Sequence, residues 1–564
     1  MRFKALLSCV LATSLLGMPF RVSAWSDDEL DIHKVKHVLL ISVDGLHALD
    51  LTNYVQTHPD STLAALWSHG ITYTNNSTSQ PSDSFPGLAA LVTGGSPATT
   101  GFWYDVTFNR AISPPVNTTQ TVPIPAGPCP GQIGTPVAYD ESDDVDLTEL
   151  NGGGGIDPNN LSRDPNNNCK PIFPHEYLRV NTIFEVAKSH GLRTAWVDKH
   201  PSYEWTNGPS GKGVDDFYGP EINSNTGKSA GGKVVHLPFP GCDPAPLVDN
   251  TFDDGWTTDF RNIQCYDMLH VQAILNEIDG LDHTGTKHVG IPSLFGFNYQ
   301  AVSVGEKLNN GPITNGGPNV KGGYIDTFGT PDLGLAFELD FVDQTLGRII
   351  QELLKYGHYE STLIIICAKH GQSPIERSKN VNIPGPGLLG PNALSGPGAV
   401  LGPLEAFDIS DDGSLIWLAD QKELTPAVTL LTQKEALPTP ANPVGLGIQE
   451  IFAGNALRNK WNDPESDPRT PDIILKVDTG VIFAGSSKIA EHGGINEDDI
   501  HTALLVSFPD LQQRTVKTPT SNQQVAASIV KALGFNPSEL EAVQKEQIKA
   551  LPFLFSDGDA DDKH

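Results

Sequence analysis

The run Val38-Leu39-Leu40-Ile41-Ser42-Val43, closing on Asp44-Gly45, constrains this chain more than any other stretch. A nearly continuous apolar run of this length reads as a strand buried on both faces, the mark of a parallel sheet covered by helices. Ligands of such sheets gather outside the carboxyl ends of the strands, so Asp44 stands where a metal ligand is expected. Further on, Ser82-Asp83-Ser84-Phe85-Pro86-Gly87 leads into a helix-like run, Leu88 to Val92. Ser84 therefore falls near a helix start, where backbone N–H groups favour an anion. An Asp-Gly pair after a strand is also a common turn. Asp44 acquires meaning only with partners from elsewhere in the chain.

Those partners follow similar runs. Thr362 to Cys367 is a second buried-strand run and leads to Ala368-Lys369-His370-Gly371, while Glu491-His492-Gly493 precedes a third, Ala503 to Phe508. Ala195-Trp196-Val197 ends in Asp198-Lys199-His200, which is expected to open on the same side of the sheet. Neutral imidazoles with carboxylates form a donor set suited to Zn2+. Helix-like runs at 182–190, 333–356 and 522–533 alternate with strand-like runs at 38–43, 193–198, 362–367 and 502–508. The fold class is therefore α/β, a mostly parallel sheet with helices on both faces. Residues 106–175 and 375–470 are rich in Pro and Gly and break the alternation. They read as insertions that roof the site, with 415–419 and 427–431 as a small strand–helix cap.

Taken in order, these motifs resemble the alkaline phosphatase superfamily, and most closely its type I phosphodiesterase/nucleotide pyrophosphatase branch. The family's V-D-G is matched by Val43-Asp44-Gly45, its nucleophile before F-P by Ser84-Phe85-Pro86, and its L-V-T-G by Leu91 to Gly94. Val342-Asp343-Gln344-Thr345-Leu346-Gly347 is similar to the helix before the next strand; Lys369-His370-Gly371 matches D-H-G, and His492-Gly493 the late H-G. The resemblance implies an alkaline-phosphatase-like fold over 25–555 and a secreted, metal-dependent hydrolase of phosphate esters. It also implies Ser84 as nucleophile, a phosphoserine intermediate, and Asp44, Ser84, His370 and His492 as ligands of one or two divalent ions, Zn2+ above all.

Two departures qualify that expectation. Lys369 stands where the family has a ligand carboxylate, and is expected to replace one metal cation as a point charge. The family's D-x-x-G-H is assigned to Asp326-Thr327-Phe328-Gly329-Thr330, with Asp326 as a ligand, in preference to Val302-Ser303-Val304-Gly305-Glu306. Asp105 lies near the place where the branch carries an Asn that touches the phosphoryl group. Asp105, Asp198 and His200 are thus the expected substrate-facing residues. Two rivals remain: a catalytically silent relative that binds a phosphorylated or sulfated ligand, and a sulfatase-like hydrolase. The sulfatase C/S-x-P-x-R motif is not formed, since Ser84 is followed by Phe85-Pro86-Gly87-Leu88.

Residues 1–24 read as a secretory signal: Arg2 and Lys4, an apolar stretch from Leu6 to Leu16, then Val22-Ser23-Ala24. No later run reaches the ~18 apolar residues of a membrane span. Loss of Arg2, Lys4 and Arg21 with the signal takes the net charge from −30 to −33, which disfavours nucleic acid and leaves a small phosphate ester as the expected partner. Cys129 and Cys169 bracket one polar segment and Cys242 and Cys265 another; export would let neighbouring pairs close, although spacing alone does not fix connectivity. Cys367, inside an apolar strand, is expected to be a buried free thiol. Sequons stand at Asn75, Asn76, Asn117 and Asn160; the first two overlap, so at most one of them is used, and Asn76, Asn117 and Asn160 are the expected sites. Residues 556–564 read as a solvated acidic tail, whose Asp557-Gly558-Asp559 lacks the spacing and closing Glu of a calcium loop.

Overall fold

Side chains along β1 (His37–Val43) alternate between two cores. Val38 and Leu40 enter one, Leu39, Ile41 and Val43 the other, and all are buried. A strand of this kind needs cover on both sides, and helices supply it. In the computed structural model the described residues are 29–116, 129, 131–224, 228–229, 233–234, 242, 255–314, 317–384 and 395–555. The expected signal, the Asn117 sequon and the acidic tail lie outside them.

The main sheet adds β2 (Gly70–Tyr73), β3 (Thr194–Val197), β4 (Asp216–Tyr218), β5 (Leu294–Tyr299), β6 (Thr362–Cys367), β7 (Leu504–Ser507) and β8 (Arg514–Val516). Their order is β8-β2-β7-β6-β1-β5-β3-β4, and β7 alone runs against its neighbours. The helices α1 (Ala48–Thr57), α4 (Phe260–Ile278), α5 (Ala301–Lys307) and α6 (Leu333–Lys355) cover one face. The other is covered by α2 (Ser84–Thr93), α3 (Ile183–Ser189) and α7 (Gln523–Ala532). This is the α/β architecture expected from the sequence.

One central strand departs from the apolar pattern. β5 reads Leu-Phe-Gly-Phe-Asn-Tyr, and its Gly296 sits so close to its neighbours that a Cβ would lie 2.1 Å from the Leu40 carbonyl oxygen and 2.6 Å from the Trp196 ring. Close approach between strands, not hydrophobicity, selects glycine there.

The insertions build a second layer. Strands Glu405–Ser410, Gly413–Leu418, Ile473–Val477 and Ile448–Ala453 pair in that order, all antiparallel. The fourth strand in sequence, Ile473–Val477, lies beyond residue 470, where the insertion was expected to end. Ile416 and Leu418 pack with helix Leu424–Thr432 on one face, through Ala427 and Leu431. Leu415 and Trp417 face the other way, against Trp103, Tyr104, Val106 and Phe108. The two Pro/Gly-rich segments thus share one apolar core.

Cys129 bonds Cys169 and Cys242 bonds Cys265, while Cys367 is free and buried. Two of the glycosylation expectations need correcting. Asn76 is fully buried, its Nδ2 donating to Thr502 Oγ1 at 3.0 Å and Asn522 Oδ1 at 2.8 Å. The buried Asn160 Nδ2 donates to the Asp144 carbonyl at 2.9 Å. Neither carboxamide has room for a glycan, whereas Asn75 is partly exposed. Among the described residues no helix is long and apolar enough to cross a membrane.

Candidate active site

The carboxyl ends of β1, β3, β5 and β6 meet the start of α2. Asp44, immediately after β1, is fully buried. Its Oδ2 accepts from Gln300 Nε2 at 2.6 Å, just beyond β5. The same oxygen lies 3.6 Å from His370 Nε2, 3.7 Å from Lys199 Nζ and 4.0 Å from Lys369 Nζ. Asp44 Oδ1 has no hydrogen-bond partner.

Ser84 is the first residue of α2, with Asp83 as its N-cap accepting from Phe85 N at 3.0 Å. An acid at the cap and a proline in the first turn are what a helix start favours, because proline's missing N–H has no intrahelical partner there anyway. Gly87 then allows a close crossing: a Cβ on it would lie 2.1 Å from the Lys369 carbonyl oxygen. That contact holds α2 on the end of β6 and brings Ser84 to the site. Its Oγ lies 3.3 Å from His370 Nε2 and accepts from Lys199 Nζ at 2.8 Å.

Lys369, directly beyond β6, has no exposed surface. It donates to Asp198 Oδ1 at 2.7 Å and lies 4.4 Å over the ring of Tyr203, a cation–π contact. The His492 ring lies against that of His370, with centroids 3.9 Å apart. Its Nδ1 is 3.6 Å from Asp83 Oδ1, and neither atom has a hydrogen-bond partner among the described residues.

Charge in this cluster is balanced by ammonium groups. Burial pushes the Asp44 carboxyl up, but Lys369, His370 and Lys199 together hold it well below the usual carboxylate range. Burial dominates at Asp83, pushed up to about 6, and at Asp198, which is raised despite its bond to Lys369. Burial also lowers His370, and burial with the adjacent His370 lowers His492 well below the usual imidazole value. Both rings are therefore neutral at neutral pH, the form in which imidazole binds a metal.

Asp44, Ser84, Lys369, His370 and His492 are thus brought together. The other expected site residues are distributed differently. Asp198 sits beneath the site, on Lys369. Asp105 accepts from Val106 N at 2.7 Å, and burial with the nearby Asp83 and Asp140 pushes it well up. His200 is turned to Glu221, with Nδ1 2.8 Å from Oε2, and not to Ser84.

Asp326 is not brought to the cluster. It is exposed and closes its own turn, accepting from Phe328 N at 2.9 Å and Thr330 N at 3.1 Å. Val302 to Glu306, on α5 directly after β5, lies there instead: a Cβ on Gly45 would be 2.8 Å from Glu306 Oε2 and 3.1 Å from Ser303 Cα. This corrects the assignment, because the segment that follows β5 must land beside Asp44. Glu306 accepts from Tyr324 OH and Gln372 Nε2, each at 2.6 Å, and lies 3.2 Å from His47 Nδ1. With Asp50 it forms a group of possible metal ligands whose bonds are already met from within the protein.

Lys199 is the residue of this site that the sequence did not single out. Its sole signal is its place between Asp198 and His200 at a strand end.

These distances fit a metal ion held by Asp44, Ser84 and His370. In a tetrahedral site with bonds of about 2.0 Å, adjacent ligand atoms lie about 3.3 Å apart. Asp44 Oδ2 to His370 Nε2 is 3.6 Å and Ser84 Oγ to His370 Nε2 is 3.3 Å, and Asp44 Oδ1 is an orphaned acceptor. Of the positions that correspond to ligands of a second ion, Lys369 and Val302 offer no donor atom, and the Glu306 carboxylate is already bonded to Tyr324 and Gln372.

A mostly parallel sheet with a serine at a helix start and Asp and His at the strand ends defines an alkaline-phosphatase-like protein. The family model for type I phosphodiesterase / nucleotide pyrophosphatase matches residues 38–135 and 198–501, and the chain belongs to that family. Wild-type alkaline phosphatase PafA is similar in structure at 12% identity, over 89% of this chain and 96% of that one, with a TM-score of 0.51. Murine ectonucleotide pyrophosphatase / phosphodiesterase 5 is similar at 13% identity, over 93% and 98%, with a TM-score of 0.49. No curated protein matches the chain in sequence.

Proposed function

We propose that this chain is an exported hydrolase of phosphate esters in which Ser84 attacks phosphorus. The observation that carries this reading is the contact of Ser84 Oγ with Lys199 Nζ at 2.8 Å, at the start of α2 and beside His370. An ammonium bonded to the hydroxyl oxygen favours its alkoxide form. The N–H groups at the start of α2, with Lys199 and Lys369, face the negative charge of a phosphoryl group. As the Ser84 Oγ–P bond forms, the hydroxyl proton passes to solvent. The ester oxygen leaves with the electron pair of the broken P–O bond and takes up a proton. Water then attacks phosphorus, the Ser84 Oγ–P bond breaks, Oγ takes back a proton, and the phosphoryl product leaves.

Asp44, Ser84 and His370 would hold one divalent ion, which when bound supplies further positive charge at the nucleophile. Lys369 stands in for the second cation of the family. His492 closes the site against His370 and Asp83. Residues 1–24 and the two disulfides support export.

A second reading rests on the same lysines: two ammonium groups and a helix start also suffice to hold a phosphorylated or sulfated ligand without turnover. Phosphomonoester, phosphodiester and sulfate-ester substrates, each assayed with and without chelator, separate the two. Hydrolysis of a phosphate ester that disappears in Ser84→Ala supports the enzyme. Unchanged turnover in that variant overturns the nucleophile, and no turnover of any ester favours the binding protein.

A further inference from the structure

On the far side of Lys199 lies a pocket of the opposite character. His200 Nδ1 is 2.8 Å from Glu221 Oε2, and Glu141, His200 and Glu221 each present a ligand atom within 4.8 Å of the others. Asp144 joins them, its carboxylate facing that of Glu221. Asp144 is only 4% exposed, and among the described residues neither of its carboxylate oxygens has a hydrogen-bond partner. Among the described residues no lysine or arginine forms an ion pair with Glu141, Asp144 or Glu221. Two buried acids that face one another without a donor need a shared proton or a cation.

The local chain is shaped around this pocket. Gly152, at φ +63°, packs so tightly on Asp144 that a Cβ would lie 2.7 Å from its Oδ1. Glu221 is fixed by Asn223 N, which donates to Oε1 at 2.8 Å, and Asn223 Nδ2 reaches Glu141 Oε2 at 2.8 Å. These contacts orient the carboxylates and leave Asp144 unbonded. Burial, with the nearby Asp140, pushes Glu141 and Glu221 up to about 8, and burial with the facing Glu221 pushes Asp144 up to about 10, the burden that a bound cation would lift.

We propose that Glu141, Asp144, His200 and Glu221 form a second divalent-cation site, separate from the Ser84 cluster. One imidazole with three carboxylates is a donor set for an ion of the Zn2+ or Mn2+ kind; calcium takes oxygen ligands alone. The site also bears on Lys199, which precedes His200 and whose carbonyl accepts from Ile222 N at 3.0 Å. An ion there would tie the end of β3 to the 221–224 segment and so hold the lysine that touches Ser84.

The test uses the full chain, stripped with chelator and dialysed against Zn2+, with Mn2+ in a parallel arm. Bound metal is counted per chain for the wild type, Asp44→Asn, Glu221→Gln and Glu141→Gln. Glu141 is half-buried at the rim, so its variant decides the matter if Glu221→Gln does not give the wild-type circular dichroism spectrum. The Glu variants are expected to hold one ion fewer than the wild type. Titration should show that ion bound at least about 100-fold more weakly, at or beyond the ~10–100-fold cost of losing an outer partner. Asp44→Asn should keep it. Equal metal content in wild type and Glu141→Gln overturns the site, as does an Asp44→Asn protein that takes up no metal.

Discussion

Lys199 and His200 are consecutive residues, yet they serve opposite electrostatic regions. Lys199 reaches Ser84 and Asp44, where a second ammonium, Lys369, is already buried. His200 reaches Glu221, in a pocket of carboxylates without an ammonium partner. The difference is visible in the acids themselves: Asp44 is held well below the ordinary range, whereas Glu141 and Glu221 are pushed up to about 8. Burial raises acids on both sides, Asp83 and Asp198 included, and only at Asp44 do the positive neighbours outweigh it. One cluster carries its own cations, Lys199 and Lys369. Among the described residues the other has no lysine or arginine ion pair, and it is there that a cation is proposed.

The sharpest way to break the comparison is to remove the buried ammonium. Lys369→Ala leaves the buried Asp198 without its ion-pair partner and should cost about 3–5 kcal/mol of stability, read from urea unfolding. Unchanged stability would mean that Lys369 does not balance the first cluster. Lys199→Ala is expected to lower kcat for an aryl phosphodiester by about 10²–10³, equivalent to ~2.7–4 kcal/mol, with a smaller effect on folding. A variant at wild-type rate would remove Lys199 from the mechanism.

Titration distinguishes the clusters by sign. Glu141 and Glu221 have folded values of about 8, above the ordinary 4.5, so the native state binds more protons and stability falls as pH rises between those values. Asp44 is depressed: its contribution is present above the ordinary carboxylate pKa and is lost as pH falls through its lower folded value. Chelated protein should therefore melt at a lower temperature at pH 8 than at pH 5, and added Zn2+ or Mn2+ should remove most of that decline. The same decline with metal present would contradict the second site. The smallest effect is expected at Asp326, where Ala should change neither turnover nor metal content, because the side chain bonds only within its exposed turn.

The sequence revealed what hydrophobic periodicity encodes. β1, β3, β6 and β7 are apolar because both their faces are buried, and the ends of the first three carry Asp44, Asp198, and Lys369 with His370. β5 escaped notice because Gly296 and Asn298 interrupt it, and Gly296 is there for close strand contact. Without β5 the segment beside Asp44 could not be located, and Asp326 took the place of Val302 to Glu306. Which residue of Asp198-Lys199-His200 meets Ser84 depends on the rotation of the strand end, which composition does not fix. Asn76 and Asn160 show the same limit, since a three-residue sequon carries no record of burial.

The central claim is that Ser84 forms a covalent bond to phosphorus in a site neutralised by Lys199 and Lys369. Acid quenching during turnover of an aryl phosphodiester, followed by mass spectrometry of the peptide that contains Ser84, tests it directly. The expected result is a phosphoryl adduct on Ser84 in the wild type, absent from Ser84→Ala. Sustained hydrolysis with an unmodified Ser84 peptide would contradict it.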